Sequence, residues 1–130
     1  MAPLVQRYFA RRGFTRQTTE LQFYEQKIDV YGYSSREDLA VAVELKLEKW
    51  PRAVEQGLLY QLCADLVYLA MPAASVPRVP EELLRQHGLG LISVSDSGRC
   101  RVALHASRST LVHSEYKSTY ARMLSGEDEC

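Results

Sequence analysis

The chain has 130 residues, of which 46% are hydrophobic and 25% are charged, and its formal net charge is zero. These values predict one globular domain over residues 1–130, and they exclude a protein that holds nucleic acid mainly through bulk positive charge. No apolar run is long enough to span a bilayer, and residues 1–12 lack the apolar segment of a signal peptide. Because the three cysteines are scattered without metal-ligand spacing, we expect a soluble, cytoplasmic protein with reduced thiols.

The first part of the chain is predicted to form a helix and three antiparallel strands. The helix covers residues 3–12, and an alternating strand follows over residues 18–24. After a short break, residues 27–31 form the second strand of a hairpin. The polar stretch 31–38 reads as a loop, and it leads into the third strand, residues 41–47.

The second part of the chain is predicted to continue the sheet through a helical crossover. Pro51 suits the first turn of a helix, which should end near Cys63. The apolar run 65–70 should return as a buried strand parallel to the third strand. The remaining elements are a short helix, a hairpin and an amphipathic helix with a frayed acidic end, over residues 81–87, 89–105 and 107–130. The sequence therefore predicts an α/β fold with a mixed central sheet, whose core spans residues 3–105.

Two acids and a lysine are predicted to converge on this sheet. Ile28 and Val30 flank Asp29 in an alternating strand, so the carboxylate should lie opposite their apolar face. In the third strand, Glu44 and Lys46 share the face opposite the valines and leucines. We therefore expect one face of each strand to belong to the core and the other to carry chemistry.

The order of these elements and residues resembles the core of the PD-(D/E)XK nuclease superfamily. Asp29 is similar to the acid on the second core strand of that family, and Glu44-Leu45-Lys46 is similar to its acid-x-lysine triplet. On the following helix, Gln56 and Tyr60 resemble the Q-x-x-x-Y signature of the lambda-exonuclease and RecB-type branch. The resemblance implies a restriction-endonuclease-like core, extended by a helix and a hairpin, and Mg²⁺-dependent hydrolysis of DNA in repair, recombination or defence.

The resemblance also implies a metal site. Mg²⁺, or Mn²⁺ as a substitute, would be held by Asp29, Glu44 and the backbone carbonyl of Leu45, because Mg²⁺ takes few protein oxygens and keeps several waters. Many members of the family add a glutamate from the first helix. Residues 1–12 contain none, and Glu20 on the next strand could replace it.

Three further residues receive catalytic roles from the resemblance. Lys46 would orient or deprotonate the attacking water and stabilise charge in the transition state. Gln56 would hold that water or a phosphate oxygen. Tyr60 would bond the backbone or support Gln56, which lies one helical turn away.

Basic residues near the N-terminus and after the third strand could contact the phosphates of DNA. The first stretch of the chain has no acid before Glu20, although the same charges also fit an ordinary solvated helix face. The candidate nucleic-acid contacts are Arg7, Arg11, Arg12, Arg16, Lys49 and Arg52.

Other interpretations of the pattern remain open at this stage. Asp29, Glu44 and Lys46 could form a charge cluster on a solvated sheet face, worth a fraction of a kcal/mol per pair. The chain could also be a nuclease-fold protein that binds nucleic acid or a partner protein with weak or no catalysis. The apolar C-terminal segment could support a homodimer, which would place two sites across a duplex.

Overall fold

The computed structural model describes residues 1–126, which form a mixed six-stranded β-sheet with four α-helices. The elements are, in chain order, α1 (Ala2–Ala10), β1 (Arg16–Phe23), β2 (Gln26–Ser34), β3 (Leu39–Leu45), α2 (Trp50–Tyr60), β4 (Leu66–Pro72), a 3₁₀ helix (Val76–Arg78), α3 (Glu81–His87), β5 (Gly90–Val94), β6 (Cys100–Leu104) and α4 (Ser114–Leu124). The predicted α/β class is confirmed. Within the described range, no helix is both long and apolar enough to cross a membrane. The frayed acidic end predicted at residues 127–130 lies outside the described residues.

The six strands lie in the sheet in the same order as in the chain. β1, β2 and β3 are antiparallel, because short connections join them directly. β3, β4 and β5 are parallel, because α2 and α3 carry the chain back across the sheet between them. β6 closes the sheet as the antiparallel partner of β5. The predicted parallel crossover is confirmed.

Helices cover both faces of the sheet. α1 packs on one face, where Val5 and Phe9 meet Val41 and Val43 of β3. α2 packs on the other face, which it shares with α3 and α4. Both faces of β3 are therefore covered, because α2 buries the face that carries Ala42 and Glu44, on which the chemistry is predicted.

The regular alternation predicted around Asp29 is also wrong. Ile28 belongs to the core beneath α2, whereas Val30 belongs to the core beneath α1. Glu20, which lies opposite Asp29 in the β1–β2 register, has a φ of 53°, so the backbone departs here from regular strand geometry. The two neighbours of Asp29 consequently face opposite sides of the sheet.

Several element boundaries differ from the prediction, and β3, for example, ends at Leu45 rather than at residue 47. β2 continues through Ser34, since residues 31–34 pair with β3 and are mostly buried, so the predicted loop begins later. α2 ends at Tyr60 rather than near Cys63. The helix packs closely at Gly57, where a Cβ would lie 3.3 Å from Leu89 Cδ2.

A buried ion pair fixes α4 against the sheet. Lys117 Nζ lies 2.9 Å from Asp65 Oδ2, and it also donates to the Asp38 carbonyl at 2.6 Å. The same carboxylate oxygen of Asp65 accepts a hydrogen bond from the Ala40 amide at 2.8 Å. Asp65 is 5% exposed and Lys117 is 13% exposed, so the pair is shielded from water. The contact lies at the start of β3 and β4, at the opposite end of β3 from Glu44.

We expect Lys117→Met to lower the free energy of unfolding by about 3 kcal/mol, because it leaves the buried Asp65 carboxylate without its nearest cation. Chemical denaturation measures the change. The double variant Asp65→Asn/Lys117→Met should recover part of the loss. Equal stability of Lys117→Met and the native chain would show that this ion pair does not hold α4.

Candidate active site

The candidate site lies where β2 and β3 stop pairing. The ladder between the two strands ends at Val30 and Val43. Beyond that point, Asp29 Oδ2 accepts a hydrogen bond from the Leu45 amide at 2.7 Å, so a side chain replaces the missing strand partner. The Lys46 amide bonds to β4, and backbone groups alternate along a strand, so the Leu45 carbonyl points toward the opening beside Asp29.

Glu44 is a buried carboxylate at this opening, with 3% of its side chain exposed. Tyr60 donates a hydrogen bond to its Oε1 at 2.9 Å, and Lys46 Nζ lies 3.5 Å from its Oε2. Burial, reinforced by the negative charge of Asp29, raises the pKa of Glu44 to about 7, although Tyr60 and Lys46 partly oppose the shift. The interpretation of Glu44 as part of a solvated charge cluster is therefore wrong.

The hydroxyl of Tyr60 faces two acceptors. It lies 2.9 Å from Glu44 Oε1 and 3.1 Å from the Lys27 carbonyl, but it has only one proton to donate. A protonated Glu44 can donate to the Tyr60 oxygen and leave the Tyr60 proton for the Lys27 carbonyl. The arrangement thus suits the neutral form of Glu44, in agreement with its raised pKa. Tyr60 thus contacts a backbone carbonyl, that of Lys27, which agrees with one of its two predicted roles.

Gln56 lies on the same side of α2 as Tyr60 but makes different contacts. Its Nε2 donates to Oε1 of Gln26 at 2.9 Å. Its own Oε1 is buried without a hydrogen-bond partner among the described residues. Gln26 was not among the residues singled out from the sequence, because nothing in the local pattern indicates a contact between positions so far apart in the chain.

Lys46 reaches Glu44 from outside the strand. Lys46 was predicted to share a strand face with Glu44, but β3 ends at Leu45, so the backbone of Lys46 lies just beyond the strand. The ammonium group nevertheless approaches the carboxylate, and 27% of the side chain remains exposed. The structure thus brings together Asp29, Glu44, Lys46 and Tyr60, with Gln56 held nearby by Gln26.

The other candidate residues lie farther from this group. Glu20 is exposed, in the strand position opposite Asp29. α1 lies on the face of the sheet opposite α2, so Arg7 is across the sheet from Glu44. Arg12 packs over the Tyr8 ring at 3.5 Å from its centroid. The exposed arginines at the N-terminal end of the chain are Arg7, Arg11, Arg12 and Arg16.

Two basic residues follow β3 directly. Lys49 is exposed and forms the N-cap of α2. Arg52 lies in the first turn of α2 and pairs with Glu55 at 3.2 Å, with both side chains largely exposed. These two positions are closer in the chain to Glu44 than Arg7, Arg11 and Arg12 are, and they remain candidates for phosphate contacts.

The residues present fit a single Mg²⁺ ion with few protein ligands. When Glu44 is ionised, Asp29 and Glu44 bring two negative charges together with one lysine, and the carbonyl of Leu45 points toward the same opening. A divalent cation would compensate the excess negative charge. Within residues 1–126, no group of three or more His, Cys, Asp or Glu side chains is arranged to hold a metal. The remaining ligands would therefore have to be water and substrate oxygens.

Comparisons with known proteins inform the fold only. No protein-family model matches the chain, and a search of curated proteins finds no match either. The chain is similar to the structure of the SPO1766 protein of unknown function from Silicibacter pomeroyi, with a TM-score of 0.65 and 22% identity over 98% of this chain and 89% of that one. SfsA from Pyrococcus furiosus, solved in complex with Ca²⁺, matches with a TM-score of 0.44 and 10% identity over 84% and 61% of the two chains.

The raised pKa of Glu44 predicts a pH-dependent stability in metal-free protein. The folded state holds this proton more tightly than the unfolded state, so stability should fall as pH rises from the ordinary glutamate range toward 7. The loss attributable to Glu44 should reach up to about 3 kcal/mol. Chemical denaturation in chelator at about pH 5 and about pH 8, for the native chain and Glu44→Gln, measures it.

Glu44→Gln should remove this part of the pH dependence, because an amide does not titrate. Glu55→Gln is the matched control, since the Glu55 side chain is 69% exposed and lies on the neighbouring helix. The free energy of unfolding of the native chain minus that of Glu44→Gln is compared at the two pH values. If this difference is the same at both, Glu44 titrates as an ordinary carboxyl.

Proposed function

We propose that this chain is a Mg²⁺-dependent nuclease that hydrolyses phosphodiester bonds in DNA. The observation that carries the proposal is the buried Glu44 carboxylate beside Asp29, at the point where β2 and β3 part, with Lys46 Nζ 3.5 Å away. Burying such a carboxylate next to a second acid costs stability, and perturbed acids of this kind concentrate at functional sites. The order of elements from α1 to β4 supports a restriction-endonuclease-like core and membership of the PD-(D/E)XK superfamily.

The proposed metal ligands are Asp29, Glu44 and the Leu45 carbonyl. A bound Mg²⁺ would supply positive charge at the scissile phosphate and acidify the attacking water. The hydrogen bond from the Leu45 amide fixes Asp29 against the same backbone that carries the other two ligands, so the three are positioned together. Glu44 must give up its proton to serve as a ligand, and Tyr60 can then turn its hydroxyl proton to the carboxylate.

Lys46 and Gln56 have separate proposed roles. The Lys46 ammonium would orient the attacking water and stabilise the negative charge that develops on the phosphate oxygens. Gln56 Oε1 is a buried acceptor without a partner among residues 1–126, while Gln26 holds the amide nitrogen. This oxygen is therefore left to accept a hydrogen bond from the attacking water, which is one of the two roles that the family resemblance implies.

Binding without catalysis is the second candidate function. It is favoured by the small number of acids at the site, because Asp29 and Glu44 are the two described carboxylates that meet there and Lys46 already pairs with one. In that case nucleic acid or a protein partner would occupy the opening without turnover. The proposal of a homodimer through the C-terminal segment also stays a prediction.

The first test is cleavage of DNA by the purified chain. Labelled linear, circular and single-stranded DNA are incubated with Mg²⁺ or Mn²⁺, and chelator should abolish cleavage. Glu44→Ala should reduce the rate by about a hundredfold or more, because it removes a metal ligand. Glu55→Ala, an exposed acid on α2, is the matched control and should cleave like the native chain.

The outcomes separate the two candidate functions. Metal-dependent cleavage that is lost in Glu44→Ala but kept in Glu55→Ala supports the nuclease. Equal cleavage by both variants points to a contaminating enzyme and removes the proposal. DNA binding without cleavage would favour the binding function.

Lys46→Met should lower the cleavage rate by about a hundredfold, because it keeps the length of the side chain but removes its charge. The measurement belongs well above the pKa of Glu44, since loss of the lysine would otherwise favour the protonated glutamate and weaken metal binding. Calorimetry with Mn²⁺ should then give nearly the native affinity. Cleavage at the native rate would remove Lys46 from the mechanism.

A further inference from the structure

A groove lies next to the candidate site, along the segment that joins β3 to α2. Residues 45–49 line it, and its volume is about 520 Å³. Sites for small molecules commonly have volumes of about 300 to 1,000 Å³. Lys46 belongs both to the groove and to the site, because its ammonium lies 3.5 Å from Glu44. A substrate bound at Asp29 and Glu44 would therefore extend into this groove.

Leu47 is an apolar side chain displayed in this groove. It is 66% exposed, more than the other large hydrophobic residues that stand out at the surface of the described chain, such as Leu111 at 57%. Burying a leucine side chain contributes about 1.5 to 3 kcal/mol, so an exposed one beside a candidate site offers binding energy to a ligand.

The backbone around Leu47 is fixed. The Oγ of the buried Ser75 donates to the Leu47 carbonyl at 2.8 Å. The Lys46 amide bonds to the Ala70 carbonyl at 3.0 Å, and the Trp50 amide bonds to the Glu48 carbonyl at 2.8 Å. These hydrogen bonds hold the backbone of Leu47 at the surface. A ligand that binds here would therefore lose less conformational entropy than it would at a flexible segment.

The groove combines apolar and charged groups in a way that suits a nucleotide. Lys46 and Lys49 provide positive charge for phosphates, and Leu47 lies between them in the chain. Glu48 also lines the groove, so the segment carries a net charge of +1 from two lysines and one glutamate. Cations match the backbone of a nucleic acid, and an apolar side chain matches the face of a base or sugar.

We propose that Leu47 packs against the base of a nucleotide next to the scissile phosphate, and that the chain therefore prefers single-stranded or frayed DNA. This inference rests on the proposed function, since the scissile phosphate defines the register of the strand. In an intact duplex both faces of a base are stacked on neighbours, and inserting an apolar side chain costs a few kcal/mol per step. A single strand presents its bases without that cost.

The test is a thermodynamic cycle that needs no turnover. The protein carries Glu44→Gln, which prevents cleavage, and the ligand is a short fluorescein-labelled single-stranded oligodeoxynucleotide in chelator. A single abasic position is moved along the oligonucleotide, and affinity is read by fluorescence anisotropy. At one position, loss of the base should weaken binding about tenfold with Leu47 present. The same loss should have little effect in the Leu47→Ala protein.

Leu111→Ala is the matched control, because this exposed leucine precedes α4 and does not line the groove. It should respond to the abasic positions as the Leu47 protein does. The inference is wrong if every abasic position lowers the affinity of the Leu47→Ala protein as much as that of the protein with Leu47. It is also wrong if neither protein binds single strands better than duplex.

The result can be separated from the fate of the proposed function. If the native chain cleaves DNA in a way that depends on Glu44, but no abasic position changes the affinity, the proposed nuclease function stands and the base contact of Leu47 is wrong. An abasic effect that depends on Leu47, without any cleavage, would keep the contact and favour binding as the function.

Discussion

The rest of this site depends on a single constraint, which is a glutamate buried between the sheet and α2. α1 and α2 cover opposite faces of β3, so Glu44 at its end has little access to water. A carboxylate in such a position is costly, and it keeps its proton to a higher pH than usual. Tyr60 reaches this carboxylate from α2, and Lys46 reaches it from the segment after β3, so Glu44 is the group that both side chains contact.

Two buried carboxylates lie toward opposite ends of the central strands, and their surroundings differ. Asp65 has an amide, a lysine at 2.9 Å and a more distant arginine, so its charge is well compensated. Glu44 has one hydroxyl and one lysine at 3.5 Å, and a second acid lies nearby. Compensation of Asp65 is what a structural ion pair requires. The charge of an ionised Glu44 is therefore less completely compensated than that of Asp65.

The irregularity of β2 creates the room for this site. Where the ladder between β2 and β3 ends, a continuous sheet would have placed backbone partners on both sides of Leu45. Asp29 instead supplies the partner for the amide and leaves an opening beside the carbonyl. The positive φ of Glu20 on β1 marks the same level of the sheet. Irregular strand geometry of this kind is common next to active sites because it redirects side chains.

The sequence by itself determined the order of the elements and the identity of the central residues. Alternation around Glu44, proline at the start of α2 and glycine at the end of α3 are local signals, and they act through backbone geometry over a few residues. They were sufficient for the α/β class and for the parallel crossover. They were sufficient also to predict that Asp29, Glu44 and Lys46 converge, whereas Tyr60 was selected through the family resemblance.

Only the tertiary structure decided how these residues are surrounded. Burial of both faces of β3, the break in alternation at Asp29 and the contact of Gln56 with Gln26 all depend on segments that are distant in the chain. The sequence placed Leu47 on the core face of the third strand, and this prediction is wrong, because β3 ends at Leu45 and Leu47 is 66% exposed. A local pattern fixes which way a side chain leaves its own strand, but the layer that packs above it decides whether that side chain meets water, a core or a partner.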